Sequence, residues 1–193
     1  MGQAPPTAQI SLPCKARPEA VYDVLADLRT HLEWGGARQS ADFRLLSLAA
    51  SRGPATVGTA FSSTGTIPMS SRRWEDHSTV TVADRARAFE FTTEAKAGQR
   101  QAMTARYRHR YEITPEAGGS RVTYTLTQLA IANPMLRMAL PGVRQLTWRM
   151  AIPMLASRGL RNLVALAEVR AAPAEAPLPS ANVTGGHMHT EEI

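Results

Sequence analysis

The stretch Ile152–Arg170, IPMLASRGLRNLVALAEVR, constrains the fold more than any other part of this chain. Leu155, Leu160, Leu163, Val164, Leu166 and Ala167 recur at spacings of three and four, which places them on one face of a helix. Arg158, Arg161 and Glu168 fall largely on the other side. Pro153 stands in the first turn, where its missing N–H would have had no partner. Upstream of about Gln128 the chain reads mostly as strands. A single long helix with one apolar face must bury that face against one face of a sheet. The fold class expected from this is α+β, a sheet with one face covered by a long C-terminal helix.

The strand pattern begins with Ala8–Lys15, where Pro13 marks an edge or an interruption. The segment ARPEAVYDVLADLRTHLEW follows and reads as helical. Pro18 and Glu19 suit its first turn, and Val21, Val24, Leu25 and Leu28 line one side. Gly35-Gly36 stops a short second helix that carries His31, Leu32 and Trp34. From Asp42 the period becomes two. Strands are expected in Asp42–Ala50, in Val57–Ser63 with Thr64–Met69, and in Arg72–Ala83, Ala88–Ala95, Ala102–Thr114 and Arg121–Leu129. The turn PEAGGS joins the last two, and such short polar connections favour an antiparallel meander.

Ala102–Thr114 is the most legible strand. Met103, Ala105, Tyr107, His109, Tyr111 and Ile113 face one way, and Arg106, Arg108, Arg110 and Glu112 face the other. Phe89 and Phe91 before it, and Val122, Tyr124 and Leu126 after it, extend the apolar face. Asp76 and His77 are neighbours on one strand and point to opposite faces, so at most one looks inward.

Charge and cysteine usage narrow the function classes. The formal net charge is +6, and the 22 basic residues include only two lysines, Lys15 and Lys96. Glu175, Glu191 and Glu192 are the only charges after Arg170, which leaves +9 on residues 1–170. The row Arg106, Arg108, Arg110 has no exposed aromatics alternating with it for base stacking, so no nucleic-acid partner is expected. Cys14 alone cannot form an internal disulfide and reads as a small core hydrophobe. No zinc spacing, phosphate-binding glycine loop or Ser-His-Asp order is present, and His187 and His189 read as incidental tail composition, so neither metal nor cofactor is expected. The opening MGQAPPTAQ lacks the layout of a signal peptide, and no run of eighteen apolar residues occurs, so a cytoplasmic protein is expected. Residues 1–7 and 171–193 read as disordered ends of one domain, residues 8–170. Within it, Leu129–Ala151 is an apolar, Met-rich insert of one or two short amphipathic helices, and no acid occurs between Glu116 and Glu168.

The order strand, helix pair, antiparallel strands, long helix resembles the helix-grip fold of the SRPBCC or START-like superfamily. That superfamily includes lipid-transfer domains, ligand-binding pollen allergens and polyketide cyclases. Pro18, Val21, Tyr22, Leu25, Asp27 and Trp34 resemble its opening motif, and VGTAF at 57–61 its first glycine strand. YEITPEAGGSRVTYTL at 111–126 resembles its hairpin, and RGLRNLVALAE at 158–168 its terminal helix. The resemblance implies a cavity between sheet and helix for an apolar or aromatic ligand, with its mouth near the helix N-terminus. Tyr107, His109, Tyr111 and Tyr124 would put polar groups on an apolar wall. Phe61, Trp74 and Phe91 would join them from neighbouring strands, with Trp34 after the first helices and Met154 and Leu155 at the mouth.

Three functions fit these residues. The first is non-catalytic binding or transport of a hydrophobic small molecule, a lipid or a polyketide-like aromatic. The second is a cyclase or aromatase in which His109 acts as acid or base beside the cavity tyrosines. In the bland alternative His109 is a core histidine bonded to a neighbouring strand or a water. The third is a membrane-peripheral lipid-handling protein. There, Leu136, Met138, Leu140, Val143, Leu146, Trp148 and Met150 of residues 129–151 would enter the bilayer, and Arg137, Arg144 and Arg149 would meet phosphates. A lid over the core is the competing role for that insert. One inward histidine without a certain partner favours binding over catalysis. The sequence leaves the oligomeric state open.

Overall fold

The structure, a computed structural model, describes residues 5–35, 44–66, 73–97, 103–132 and 147–172. Strand β1 (Thr7–Cys14) leads into helix α1 (Pro18–Ala26), a 3₁₀ turn (Leu28–Thr30) and the short helix α2 (His31–Trp34). Six strands follow: β2 (Arg44–Ala50), β3 (Ala60–Thr66), β4 (Arg73–Asp84), β5 (Ala88–Ala97), β6 (Met103–Glu116) and β7 (Gly119–Ile131). A π-helical turn (Thr147–Ala151) runs directly into helix α3 (Ile152–Ala171). The strands form one antiparallel sheet in the order β1-β7-β6-β5-β4-β3-β2. Chain order is kept throughout except that β1 closes on β7. This sheet and the terminal helix are the helix-grip arrangement expected from the sequence.

Local chemistry explains the element ends. Pro13 pairs with Arg121 in β1, an edge strand, so its missing N–H costs no ladder bond on the open side. Pro18 sits in the first turn of α1, and Val21, Tyr22, Val24, Leu25 and Ala26 are buried. The expected pair of helices is separated at Asp27, whose ψ of 87° ends α1. That break turns the chain so that Thr30, His31 and Trp34 are buried as well. The hairpin turn is also tighter than PEAGGS implies. Pro115 and Glu116 still pair with Ser120 and Gly119, leaving Ala117 and Gly118 as the loop. Gly118 has a φ of 82°, which a side chain would resist. A Cβ at Gly119 would run into the Cys14 carbonyl, so this glycine lets the hairpin sit against the end of β1.

Other expectations shift in detail. Val57 is 64% exposed and precedes β3, which starts at Ala60. Leu129–Ile131 extend β7, and residues 147–151 belong to the helix entry. The intervening part of the expected insert, residues 133–146, lies outside the described residues, as do Arg72, His187 and His189. No described helix is long and apolar enough to cross a membrane.

Of the stripe expected from its spacing, helix α3 buries Leu160, Leu163, Val164 and Ala167 against β1 and α1, while Leu155 and Leu166 are part-buried. Polar ties fix the same half of the helix. Glu168 accepts the Lys15 backbone N–H at 2.8 Å, and Asn162 donates to the Trp34 carbonyl at 3.3 Å. Arg170 reaches Glu33 at 3.4 Å and Asp27 at 3.8 Å. These ion pairs are part-exposed and contribute little by themselves. No α3 residue before Leu160 is fully buried. The helix is therefore anchored by its C-terminal half, with its N-terminal half less engaged. Leu163→Ala should lower unfolding free energy by about 2–5 kcal/mol, because a fully buried leucine leaves a cavity. Met154→Ala, at a position 63% exposed, should change it by less than about 0.5 kcal/mol. Urea denaturation of both variants checks the asymmetry, and equal losses would contradict it.

Candidate functional site

Strand parity assembles the inner wall. On β6, His109 pairs with Phe91 of β5 and Leu126 of β7, and Tyr111 pairs with Phe89 and Tyr124. All six side chains share the face that looks toward the helices. Arg106, Arg108, Arg110 and Glu112 take the opposite face, where Arg110 is neutralised by Glu90 at 3.3 Å and Glu112 at 3.1 Å.

At the centre of the wall, His109 Nδ1 lies 2.8 Å from the Tyr124 hydroxyl. The imidazole stacks on Phe91 at 4.6 Å between centroids with an 11° tilt. Phe61 meets Phe91 edge-on at 5.3 Å, and Tyr111 lies 4.8 Å from Tyr124. Trp34 comes down from α2 to meet Tyr111 at 6.1 Å. His31 is wedged between these rings, 4.5 Å from Trp34, 5.8 Å from Phe61 and 6.0 Å from Phe91. Its Nε2 donates to the Leu25 carbonyl at 3.1 Å, and the Trp34 indole donates to Thr30 Oγ1 at 3.2 Å.

Burial sets the charge state of this belt. Desolvation pushes His109 down to about 3, with His31 adding to the effect. It pushes His31 down to about 4, although the Leu25 carbonyl opposes the shift. Both imidazoles are neutral at pH 7. The Tyr111 and Tyr124 phenols are pushed up by the same burial and stay protonated. The belt is thus an uncharged, largely buried aromatic cluster with a few hydrogen-bonding atoms.

One end of the wall is different. Beyond the rings, the inward residues of β3 and β5 become small, with Ser63, Gly65, Ala95 and Ala97, and Ala105 continues this on β6. Asp76 of β4 points into this zone between Ser63 and Ala95. Its Oδ1 is sealed from solvent and has no hydrogen-bond partner among the described residues. Burial pushes its carboxyl up to about 7. Tyr107 lies nearby: burial raises its phenol, the Gln128 amide donates to it, and the Asp76 charge raises it further.

The positions named from sequence separate into groups. Trp34, Phe61, Phe91, His109, Tyr111 and Tyr124 meet in the belt. Tyr107 borders the Asp76 end, 6.5 Å from His109. Trp74 is part-buried farther along β4, with its indole donating to the Thr66 carbonyl at 3.3 Å. Leu155 is part-buried in the first turns of α3, and Met154 there is exposed, outside the belt. His77 faces outward and pairs with Glu75 at 3.2 Å. Asp76 and His31 are the residues that sequence reasoning passed over. Asp76 shares the parity of Trp74, Ser78 and Val80, which was a usable signal for its inward direction. His31 sits three residues after Leu28 and three before Trp34, on the buried side of the turn.

A groove of about 640 Å³ opens on the outer face of the sheet, lined by Ser62, His77, Thr79, Thr92, Glu94 and Arg106 among others. Its lining mixes these polar and charged groups with Ala49, Ala60 and Phe61. Among the described residues no three of His, Cys, Asp and Glu come together as a metal site.

Comparison with known proteins adds a family and a fold. Residues 7–168 match the sequence profile of a family described as polyketide cyclase / dehydrase and lipid transport. A solved Rhizobium leguminosarum structure superposes with a TM-score of 0.60 at 13% identity, covering 84% of this chain and 94% of its own. One from Chromobacterium violaceum gives 0.55 at 15% identity, with coverage of 85% and 99%. One from Thermus thermophilus gives 0.54 at 17% identity, with coverage of 86% and 100%. At such identities the likeness is one of fold. Among curated proteins, none matches the sequence.

The titrating groups make the stability of this site pH-dependent in two opposed ways. His109 protonates at about 3 when folded and about 6.5 when free, so the unfolded chain takes up its proton first as pH falls. Stability is therefore lost below about pH 6.5. Asp76 protonates at about 7 when folded and 3.8 when free, so the unfolded chain releases its proton first as pH rises. Stability is therefore lost between about pH 4 and 7. In urea titrations, His109→Phe should flatten the acid loss and Asp76→Asn the neutral loss, each by on the order of 2–4 kcal/mol. Profiles parallel to the wild type would contradict the assigned burial.

Proposed function

This chain belongs to the polyketide cyclase / dehydrase and lipid transport family, and from that premise we propose that it binds and carries an apolar, aromatic small molecule against the inner face of the sheet. Family membership supports a hydrophobic ligand-binding role in general. The finer reading, a carrier of an aromatic, rests on the belt formed by Trp34, Phe61, Phe91, His109 and Tyr111. Such a surface offers edges and faces for ring contacts, each worth about 0.5–1.5 kcal/mol beyond the area buried. Neutral histidines and protonated phenols add orientation without charge.

The single observation that favours binding over catalysis is the state of His109. A group displaced to about 3 is poorly matched to acid–base work near neutral pH. Its Nδ1 is also already engaged by Tyr124. His109 acts in this reading as part of the wall.

Native mass spectrometry of the purified protein, with organic extraction, tests the proposal directly. A co-purifying aromatic or lipid is the expected result. With the neutral probe N-phenyl-1-naphthylamine, Phe91→Leu should weaken binding by about tenfold, roughly 1.4 kcal/mol, while His109→Gln should change it by less than about fivefold. An empty protein that also fails to bind the probe would remove the carrier reading.

A second reading has its own observation. Met150 is 66% exposed and Met154 63%, one helical turn apart, with Arg149 exposed beside them. Exposed methionines next to a cation suit peripheral contact with an anionic bilayer. Flotation with phosphatidylglycerol vesicles should then show binding that Met150→Asp with Met154→Asp abolishes. No flotation of the wild type would end this reading.

A further inference from the structure

The inner wall carries one polar group that the aromatic belt does not use. Every other polar side chain around the small-residue end with an assigned bond is satisfied within the protein. Ser78 and Thr93 share a hydrogen bond of 2.9 Å, Gln128 donates to Tyr107, and Trp74 donates to the Thr66 carbonyl. Asp76 Oδ1 alone is buried without a partner among the described residues. Leaving a buried polar atom unpaired is costly, and it marks a place where a ligand atom completes the bond.

The surroundings say what kind of ligand atom that is. Gly65, Ala95, Ala97 and Ala105 are the small inward residues around Asp76, with Trp74 paired to Gly65 and Ala97, next to the belt that would take the ligand's rings. No Lys or Arg occupies an inward position of β3 to β7, so nothing there would neutralise an anionic headgroup. Besides Asp76, the titratable groups on this wall are Tyr107, His109 and Tyr111 of β6 and Tyr124 of β7, with His31 above them from α2, and these five are uncharged at pH 7. Among the described residues no cation holds Asp76 ionised, and burial raises its carboxyl. A carboxylic acid in this state offers an O–H donor beside an acceptor oxygen.

The geometry points to Asp76 as the recognition group for a neutral carbonyl oxygen on the ligand, donating its carboxyl O–H to that oxygen while the rings lie on the aromatic belt. This rests on the carrier reading above and deepens it. The ligand class becomes an apolar aromatic ketone, quinone or ester, and fatty-acid and other carboxylate anions are disfavoured. No covalent step is involved. Ionisation of Asp76 removes the only donor it has and places a negative charge against the carbonyl oxygen, so carbonyl affinity falls as pH rises through neutrality.

Three probes of one shape test this: 2-acetylnaphthalene, 2-ethylnaphthalene and 2-naphthoate, each titrated against the full chain at about pH 6 and about pH 8.5. The wild type should bind the ketone about tenfold more weakly at the higher pH, with the hydrocarbon unchanged and the naphthoate weakest throughout. Asp76→Asn keeps an N–H donor that does not titrate, so it should hold the ketone equally at both pH values. Asp76→Ala should bind ketone and hydrocarbon alike. A ketone affinity that is flat with pH in the wild type, or that keeps its slope in Asp76→Asn, overturns the assignment and leaves the carrier reading standing. Failure of all three probes to bind overturns both.

Discussion

The stripe Leu160, Leu163, Val164 and Ala167 is the contact on which the rest of the structure depends. It presses the C-terminal half of α3 against β1 and α1. Because β1 pairs with β7 rather than with β2, that contact also fixes the edge of the sheet built from the C-terminal hairpin. The first and last elements of the domain therefore meet in one cluster, and the strands between them curve around it. Loss of this stripe would free the helix from β1 and α1.

Anchoring one half of a helix has a consequence for the other half. Between Ile152 and Gly159 the helix contributes no fully buried residue. The sheet opposite changes in step, from Phe89, Ile113 and Val122, all buried, to the small side chains around Asp76. The interior is tightly packed at one end and lined by mostly smaller side chains, with Trp74 among them, at the other.

Desolvation then decides the chemistry of that space. The same burial that keeps His31 and His109 neutral pushes the Asp76 carboxyl up to about 7, so that it is protonated below neutrality. No cation on the inner strands offsets it. An interior that suppresses charge of both signs fits the general hydrophobic ligand-binding character of the family. The outer face follows the opposite rule. There Arg110 finds Glu90 and Glu112, and solvent supports the remaining arginines.

Much of this was legible from the chain. Period-two alternation in Ala102–Thr114 placed Tyr107, His109 and Tyr111 on one face, because strand geometry allows no other outcome. Three- and four-residue spacing picked out the buried stripe of α3 for the same kind of reason. Pro13 marked an edge, and the resemblance to the helix-grip superfamily ordered the elements. What sequence alone left undecided depended on contacts between distant residues. Whether Asp76 or His77 looked inward followed from the register of β4 on β3 and β5, and His31 entered the belt only because α1 breaks at Asp27. The pairing of His109 with Tyr124 and the isolation of Asp76 are likewise properties of the packed sheet, since burial and partner are set by what surrounds a side chain in space. Local pattern determined which faces are apolar, and tertiary structure decided which polar atoms on them remain without a partner.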